Sequence, residues 1–211
     1  MKRFVIVSIM LTGLSLGSCS TKTNKEEEQI SNDKIAKSFE DFNGRPVYME
    51  LTEQIIDTIS DDNLVQAVFD NLSQKQPTDY KKEYETVMSW NKSRQAIYMI
   101  WLLEAEVNNG GYNQFYFNSS GQFYKYLPDA LKLVGAIRFA DLTTRANNIY
   151  TKENQKITQH QDASVEGFSK SYEDNPLNKF DDEFYALYRT EDLYNIQVKY
   201  IRKYKSEFID K

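Results

Sequence analysis

The feature that most limits how this chain can fold is a long apolar segment that ends at two adjacent glycines. Residues 96–107 read AIYMIWLLEAEV, and their apolar side chains would cover most faces of a helix rather than one stripe. A helix of this kind is stable in water only when other elements cover most of its surface. We therefore expect it to form the centre of a domain, with Gly110 and Gly111 marking the point where the chain turns.

Helical spacing of apolar residues recurs on both sides of this segment. Sets that start at Leu51 and Leu64 precede it, and sets that start at Ala130 and Ala136 follow it. Alternating strand patterns and hairpin dipeptides between apolar runs are nearly absent from the sequence. The sequence therefore predicts an all-α fold, a single helical domain with an orthogonal, bundle-like arrangement.

Several residues predict where individual helices begin or end. Asn91 or Ser93 is expected to cap the central helix, and Pro128 suits the first turn of a later one. Gly135 is expected to end that later helix or to let it pack tightly. Residues 181–182, both aspartates, are expected to cap the segment EFYALY that follows them.

The start of the chain has the anatomy of a lipoprotein signal peptide. Lys2 and Arg3 form a positive end, and residues 4–16 are apolar apart from small residues. The tetrapeptide LGSC at 16–19 matches a lipoprotein cleavage box, and the apolar core is shorter than a membrane-spanning helix requires. We predict that residues 1–18 are removed as a signal peptide.

Cys19 is the one cysteine of the chain, so it cannot form an internal disulfide. It stands where a lipoprotein would carry its lipid, and stable anchoring requires more than one acyl chain. The sequence therefore predicts an exported, lipid-anchored protein of the bacterial cell envelope. An ordinary signal peptide that happens to contain a cysteine is the alternative.

The residues after the cysteine predict a flexible tether. Residues 19–44 are rich in Lys, Glu, Asn, Ser and Thr and contain few large apolar residues. Such a composition cannot bury enough surface to offset the entropy lost on ordering. The remaining segment, 45–211, is the usual size of one domain with its own core.

The charge balance argues against direct binding of nucleic acid. The chain has 26 basic and 31 acidic residues, and removal of Lys2 and Arg3 would leave 24 basic ones. The sequence contains no Lys/Arg cluster long enough to follow a phosphate backbone. The one locally basic stretch, YIRKYKSEF, lies at a helix C-terminus, where positive charge complements the helix dipole.

The stretch after the central helix, residues 104–121, is the candidate site. One interpretation is a rigid corner between helices, in which one of the two glycines adopts a positive φ and aromatic side chains enter the core. The other is a binding surface, because amides beside aromatics suit a polar partner as well as internal hydrogen bonds. Under either interpretation the residues of interest are Glu106, Asn109, Gly110, Gly111, Tyr112, Gln114, Phe115, Asn118, Ser119 and Gly121.

The same stretch resembles a known family. The segment LEAEVNNGGYNQFYFNSSG is similar to the hallmark of the DNA-mimic protein nineteen family, and ALKLVGAIRFADL, FDDEFYAL and YIRKY resemble its later helices. The resemblance extends over about residues 79–204 and implies an all-helical fold with no catalytic residue. The family takes its name from a member whose acidic dimer surface imitates DNA phosphates and occupies a transcription regulator, so the resemblance also leaves a homodimer open.

The sequence contains few residues suited to catalysis or metal binding. His160 lies in a polar loop, and the Cys and His residues of the usual zinc sites are lacking. Glu104 and Glu106 are two positions apart and would point about 200° apart on a helix, so they do not converge as an acid–base pair. Glu106 could still meet Asp129 or Asp182 in space. We predict no metal and no cofactor.

Three functions remain open from the sequence. The favoured one is a membrane-tethered, non-enzymatic module that binds another protein, whose identity the sequence does not give. The second is an acidic DNA mimic that sequesters a basic or DNA-binding protein. The third is an envelope hydrolase that uses convergent carboxylates.

Overall fold

The computed structural model describes residue 34 and residues 36–160 and 164–210. The chain divides into two compact units, Met1–Val47 and Tyr48–Lys211. In the first unit, helix α1 covers 36–44, and most of its side chains are exposed. The predicted signal peptide and Cys19 lie outside the described residues, as does most of the predicted tether.

The regular elements in the described residues of the second unit are all helices, which confirms the all-α prediction. Its α-helices are α2 (Glu53–Thr58), α3 (Asp61–Gln74), α4 (Glu83–Ser89), α5 (Lys92–Phe117), α6 (Leu127–Val134), α7 (Ile137–Lys152), α8 (Asn154–Thr158), α9 (Val165–Lys170), α10 (Asn178–Leu187) and α11 (Leu193–Lys203). Short 3₁₀ turns cover Tyr80–Lys82, Ser119–Phe123 and Lys205–Glu207. No helix in the described part of the chain is both long and apolar enough to span a bilayer.

Helix α5 is the centre of this unit, as its apolar sequence predicted. It packs against α3, α4, α6, α10 and the turn Ser119–Phe123. Its first half is buried on nearly every side, from Gln95 to Ile100, and Leu103 and Val107 continue the buried surface toward the glycines. Helix α7 adds a second layer by packing on α6 and α10, and α11 packs on α3.

Three of the predicted helix ends are confirmed. The Asn91 side chain caps α5 by accepting from the backbone N–H of Arg94 at 2.9 Å. Pro128 lies in the first turn of α6. Gly135 ends α6 in the left-handed conformation, with φ 100°, and its N–H donates to the carbonyls of Leu131 and Lys132.

The prediction that Asp181 or Asp182 caps its own helix is wrong. Helix α10 begins at Asn178, one turn earlier, and Leu177 occupies its N-cap position. Both aspartates therefore lie inside the helix. An aspartate near the start of a helix gives the same sequence pattern whether its carboxylate caps that helix or another one. Asp181 caps a different helix.

The two ends of the second unit are held together by Asp210. Its backbone N–H donates to the Leu51 carbonyl at 2.9 Å, and its carboxylate accepts from the Leu51 N–H at 3.0 Å. The same carboxylate pairs with Lys75 and, at 3.1 Å, with Arg94. Burial alone would raise the pKa of Asp210, but the bonds from Lys75, the Leu51 N–H and Asn71 outweigh it and lower that pKa.

Candidate functional site

Helix α5 is broken at the two glycines. Gly110 has φ −156° and ψ 31°, and Gly111 has φ 71° and ψ −177°, both outside the helical range. The positive φ of Gly111 confirms the predicted conformation of the corner. Its combination of φ and ψ is one that only glycine adopts readily. The break divides α5 into a long buried part and a short part that starts at Tyr112 and ends at Phe117.

Asp181 caps the short part of α5 from another helix. Its Oδ1 accepts from the backbone N–H of Tyr112 at 2.7 Å, the role that an N-cap side chain ordinarily has within its own helix. Its carboxylate also fills the space over Gly111, because a Cβ placed on that glycine would collide with both carboxylate oxygens. Glycine is therefore required at 111 both for its backbone conformation and for the approach of Asp181.

Two tyrosine hydroxyls supply donors to backbone carbonyls beside the break. Tyr172 donates to the carbonyl of Gly110 at 2.8 Å, and Tyr185 donates to that of Val107 at 2.7 Å. These bonds join the backbone at the break to the loop before α10 and to α10 itself. Helix α10 runs antiparallel to α5 here, since Tyr185 reaches Val107 while Asp181 reaches Tyr112.

Glu106 organises the polar side chains of the corner. Its Oε2 accepts from Gln114 Nε2 at 2.7 Å and from Asn118 Nδ2 at 2.8 Å, and its Oε1 accepts from Ser120 Oγ at 2.7 Å. Gln114 in turn accepts from Asn109 Nδ2 at 2.9 Å. The carboxylate thus joins the two parts of α5 to the turn that follows.

Asn113 connects the corner to the loop before α10. Its side chain is fully buried, and its Nδ2 donates to Ser171 Oγ at 2.7 Å. Asn175 Nδ2 donates to Asn113 Oδ1 at 2.8 Å, and Asn175 Oδ1 accepts from the backbone N–H of Leu177 at 2.9 Å. This buried network fixes the loop that places Tyr172 and α10 against the break.

The aromatic residues of the corner enter the core, as predicted. Tyr112 and Phe115 are fully buried, whereas Phe117 is only partly buried. The hydroxyls of the buried tyrosines have partners, since Tyr112 lies 3.0 Å from Thr143 Oγ1 and Tyr116 donates to Asn147 Oδ1 at 2.6 Å. Burial raises the pKa of Tyr112 and of Tyr116, so both phenols stay protonated.

Glu104 and Glu106 occupy separate networks, as their spacing predicted. Glu104 Oε1 accepts from the Tyr188 hydroxyl at 2.7 Å and its Oε2 accepts from Gln197 Nε2 at 2.8 Å. Desolvation raises the pKa of Glu104, and these two bonds oppose that effect only in part. Asp129 has a different environment: its side chain is 88% exposed and pairs with Lys132.

Asp181 is the carboxyl group of the corner with the clearest shift. Its pKa is raised to about 6, and the largest cause is desolvation. The neighbouring Asp182 also raises this pKa, whereas the bond from the Tyr112 N–H lowers it. The carboxyl group therefore titrates near neutral pH.

The residues proposed for the site have unequal roles. Gly121 leaves no room for a side chain, since a Cβ there would lie 2.9 Å from the Phe115 carbonyl oxygen. Ser119 is exposed, and the serine that binds Glu106 is Ser120.

His160, expected in a solvated loop, is half-buried just after α8. Among the described residues, no three His, Cys, Asp or Glu side chains are grouped to hold a metal ion.

Sequence reasoning missed the partners that come from the second half of the chain. Tyr172, Asn175 and Asp181 lie more than 50 residues after the corner, and no local spacing relates them to it. The one available signal was compositional, because polar residues in an apolar context need partners when they are buried. This pattern predicts that buried polar residues have partners, but it does not identify those partners.

The second unit is thus an all-helical domain built around a central helix that is broken at a Gly-Gly step and secured by carboxylates, amides and tyrosine hydroxyls. A family model described as DMP19-like protein matches residues 88–204, more than half of the 211 residues. The chain therefore belongs to the DMP19-like family of DNA-mimic-like proteins, as the corner motif predicted. No curated protein and no solved structure matches the chain.

Proposed function

We propose that this protein is a non-enzymatic protein-interaction module, held at the bacterial cell envelope by lipid on Cys19. The observation that carries the proposal is the saturation of Glu106, whose carboxylate accepts three hydrogen bonds from within the corner. A carboxylate engaged in this way holds the fold together and is not free to transfer a proton to a substrate.

The corner then acts as a scaffold for the surfaces around it. Asp181 fixes α10 against α5, Asn113 holds the loop before α10, and Glu106 joins the two parts of α5 to the turn that follows. A surface held by rigid elements loses little entropy when it binds, which favours recognition of another folded protein. Family membership supports the same conclusion, because occupancy of a protein partner is the function that the resemblance implies.

An acidic mimic that sequesters a basic protein is the second candidate. The excess of acidic over basic residues favours it. Mimicry of DNA needs a dense array of free carboxylates, however, and many acids on this surface are paired with cations. These pairs are Asp57–Lys205, Asp61–Arg202, Asp129–Lys132, Asp141–Arg145, Glu183–Arg145 and Glu166–Lys170.

An envelope hydrolase is the third candidate, and the raised pKa of Asp181 is the observation that favours it. A general acid also needs access to the bond that it cleaves. The Asp181 carboxylate instead lies against Gly111 and accepts from the Tyr112 N–H. The structural role of Asp181 accounts for its position without a substrate.

Capture of the intact, membrane-anchored protein from its own membranes tests the proposal. We expect a stoichiometric protein partner that is retained by the Glu85→Gln variant, since Glu85 is exposed and far in sequence from the corner. Absence of any partner, together with hydrolysis of an envelope polymer that vanishes in Glu106→Gln, would establish the enzyme instead. Salt-sensitive capture of a DNA-binding protein would favour the mimic.

A further inference from the structure

Helix α1 of the first unit has one aromatic face and one charged face. Phe39 and Phe42 are three positions apart, so their rings lie on the same side of the helix. Lys37 and Asp41 each stand two positions from Phe39, so they project from the opposite side, about 160° away around the helix axis. We call the side that carries Phe39 and Phe42 the aromatic face of α1.

The aromatic face is open to solvent at Phe39. Residues 36–41 are all exposed, and Phe39 itself is 46% exposed. Phe42 is half-buried, and the guanidinium carbon of Arg45 lies 3.5 Å from the centroid of its ring. Contact between an aromatic ring and water is unfavourable, and an amphipathic helix ordinarily turns such a face toward an apolar environment.

The position of α1 in the chain indicates which environment this is. A fully extended chain from Cys19 to Phe39 reaches at most about 70 Å, so a lipid on Cys19 would keep α1 close to the bilayer that holds it. Two rings alone would bind a membrane weakly. Attachment through Cys19 makes the contact intramolecular, and a weak contact then suffices because the effective concentration of the membrane is high.

We propose that α1 lies along the membrane surface, with the rings of Phe39 and Phe42 between the lipid headgroups and the acyl chains. The inference rests on the lipid anchor of the proposed function and adds a second contact with the same membrane. Helices at a bilayer interface place their apolar face in this boundary and keep their charged face in water. Arg45 suits the end of such a helix, because its stem can cover apolar surface while its guanidinium binds a headgroup phosphate.

This contact would limit how far the second unit can move from the membrane. A fully extended chain from Cys19 to Leu51 reaches at most about 110 Å, whereas one from Gly44, at the end of α1, reaches at most about 25 Å. With α1 on the bilayer, the second unit meets only partners whose binding surface lies close to the membrane. The partner of the proposed function is then a membrane protein or a protein held at the same membrane.

Tryptophan fluorescence tests which face of α1 is in the lipid. The two native tryptophans, Trp90 and Trp101, lie in the second unit, so the wild type supplies the background signal. Phe39→Trp places a reporter on the aromatic face, and Lys37→Trp is the matched control on the charged face. Each lipid-anchored protein is reconstituted in vesicles of phosphatidylethanolamine and phosphatidylglycerol, with and without bromine on the acyl chains.

We expect the added signal of Phe39→Trp to be blue-shifted and to be quenched by the brominated chains. The added signal of Lys37→Trp should emit as in water and should not be quenched. Phe42→Asp, combined with Phe39→Trp, should abolish both the shift and the quenching, because a carboxylate on the aromatic face opposes its transfer out of water.

Emission of Phe39→Trp as in water would overturn the proposal, and so would equal quenching of Phe39→Trp and Lys37→Trp. A blue shift without quenching would also overturn it, because the aromatic face would then be covered by protein, either this chain or a second copy. Failure of the lipid anchor is a separate outcome, detected by the mass of Cys19. In that case the thiol of Cys19, the one cysteine of the chain, is coupled to a maleimide phospholipid and the measurement on α1 is repeated.

Discussion

The carboxylate of Asp181 occupies the place that a side chain on Gly111 would need. The two residues are 70 positions apart, yet Asp181 binds the N–H of Tyr112, the next residue after that glycine. The broken helix and α10 are therefore mutually dependent. The break presents a free N–H to α10, and α10 supplies the acceptor that makes the break tolerable.

Substitution of Gly111 by alanine should destabilise the protein by about 1–3 kcal/mol or more. Alanine is strained at φ 71° and ψ −177°, and its Cβ would displace the Asp181 carboxylate. Gly110→Ala should cost less, since its Cβ would meet the ends of the Gln114 and Tyr172 side chains, which can move. Chemical denaturation of the three proteins measures the difference, and equal stabilities would contradict it.

A double substitution separates backbone strain from the collision. If displacement of Asp181 contributes to the cost of Gly111→Ala, the pair Gly111→Ala and Asp181→Ala should cost less than the two single changes together. Additive costs would mean that the strain at Gly111 accounts for the whole effect.

Asp181 should make the protein less stable as the pH rises from about 4 to about 6. Its pKa is raised from 3.8 to about 6 in the folded state, so the folded state binds the extra proton in that window and loses this advantage above it. Because the group is half-buried, the full shift is discounted to about 1–2 kcal/mol. Asp181→Asn should flatten the profile of unfolding free energy against pH. An unchanged slope between pH 4 and 6 would show that another group titrates there.

Loss of the Glu106 carboxylate should leave three donors of the corner without their acceptor. Glu106→Ala removes the acceptor for Gln114, Asn118 and Ser120, and a cost of about 1–3 kcal/mol is expected. Glu85→Ala, at an exposed position, is the control and should change the unfolding free energy by about 0.5 kcal/mol or less. If both variants unfold at the same denaturant concentration as the wild type, the network is not stabilising.

The stability that Asp210 contributes should depend on pH in the opposite sense to that of Asp181. Its pKa is lowered in the folded state, so the contribution is complete above the ordinary aspartate pKa and is lost as the pH falls through the lower folded value. Asp210→Asn should cost about 1–3 kcal/mol at pH 7, because Lys75 and Arg94 lose their partner, and the difference from wild type should shrink in acid. Asp129→Asn, at a residue that is 88% exposed, should show no such convergence.

Cys19→Ala should leave a precursor without a lipid anchor. The expectation rests on the LGSC box that follows the positively charged start and apolar core. Metabolic labelling with a fatty acid measures it directly. Equal labelling of the wild type and the variant would show that Cys19 carries no lipid.

Much of the helical architecture could be predicted because its signals are local. The apolar faces of residues 96–107 require burial, Pro128 and Gly135 mark ends that depend on backbone chemistry, and the positive φ of Gly111 follows from the need to reverse a helix. Each of these conclusions needs only neighbours in the sequence.

The partners of the corner could not be predicted, because they depend on the register of α10 against α5. Asp181 reaches Tyr112 and Tyr185 reaches Val107 only when the two helices pack antiparallel at one particular offset. Local propensity contains no information on that offset, so it leaves the pairing undetermined. The same difficulty led to the assignment of Asp181 as the cap of its own helix.

The bonds between Asp210 and Leu51 determine how the domain can be joined to another protein. They bring the point where the chain enters the domain next to the point where it leaves. A domain whose entry and exit adjoin can be spliced into a surface loop of a host protein without stretching either connection. It can also be cut at an exposed loop and rejoined across the Leu51–Asp210 gap as a circular permutant. The domain is therefore suited to insertion into a host protein and to circular permutation.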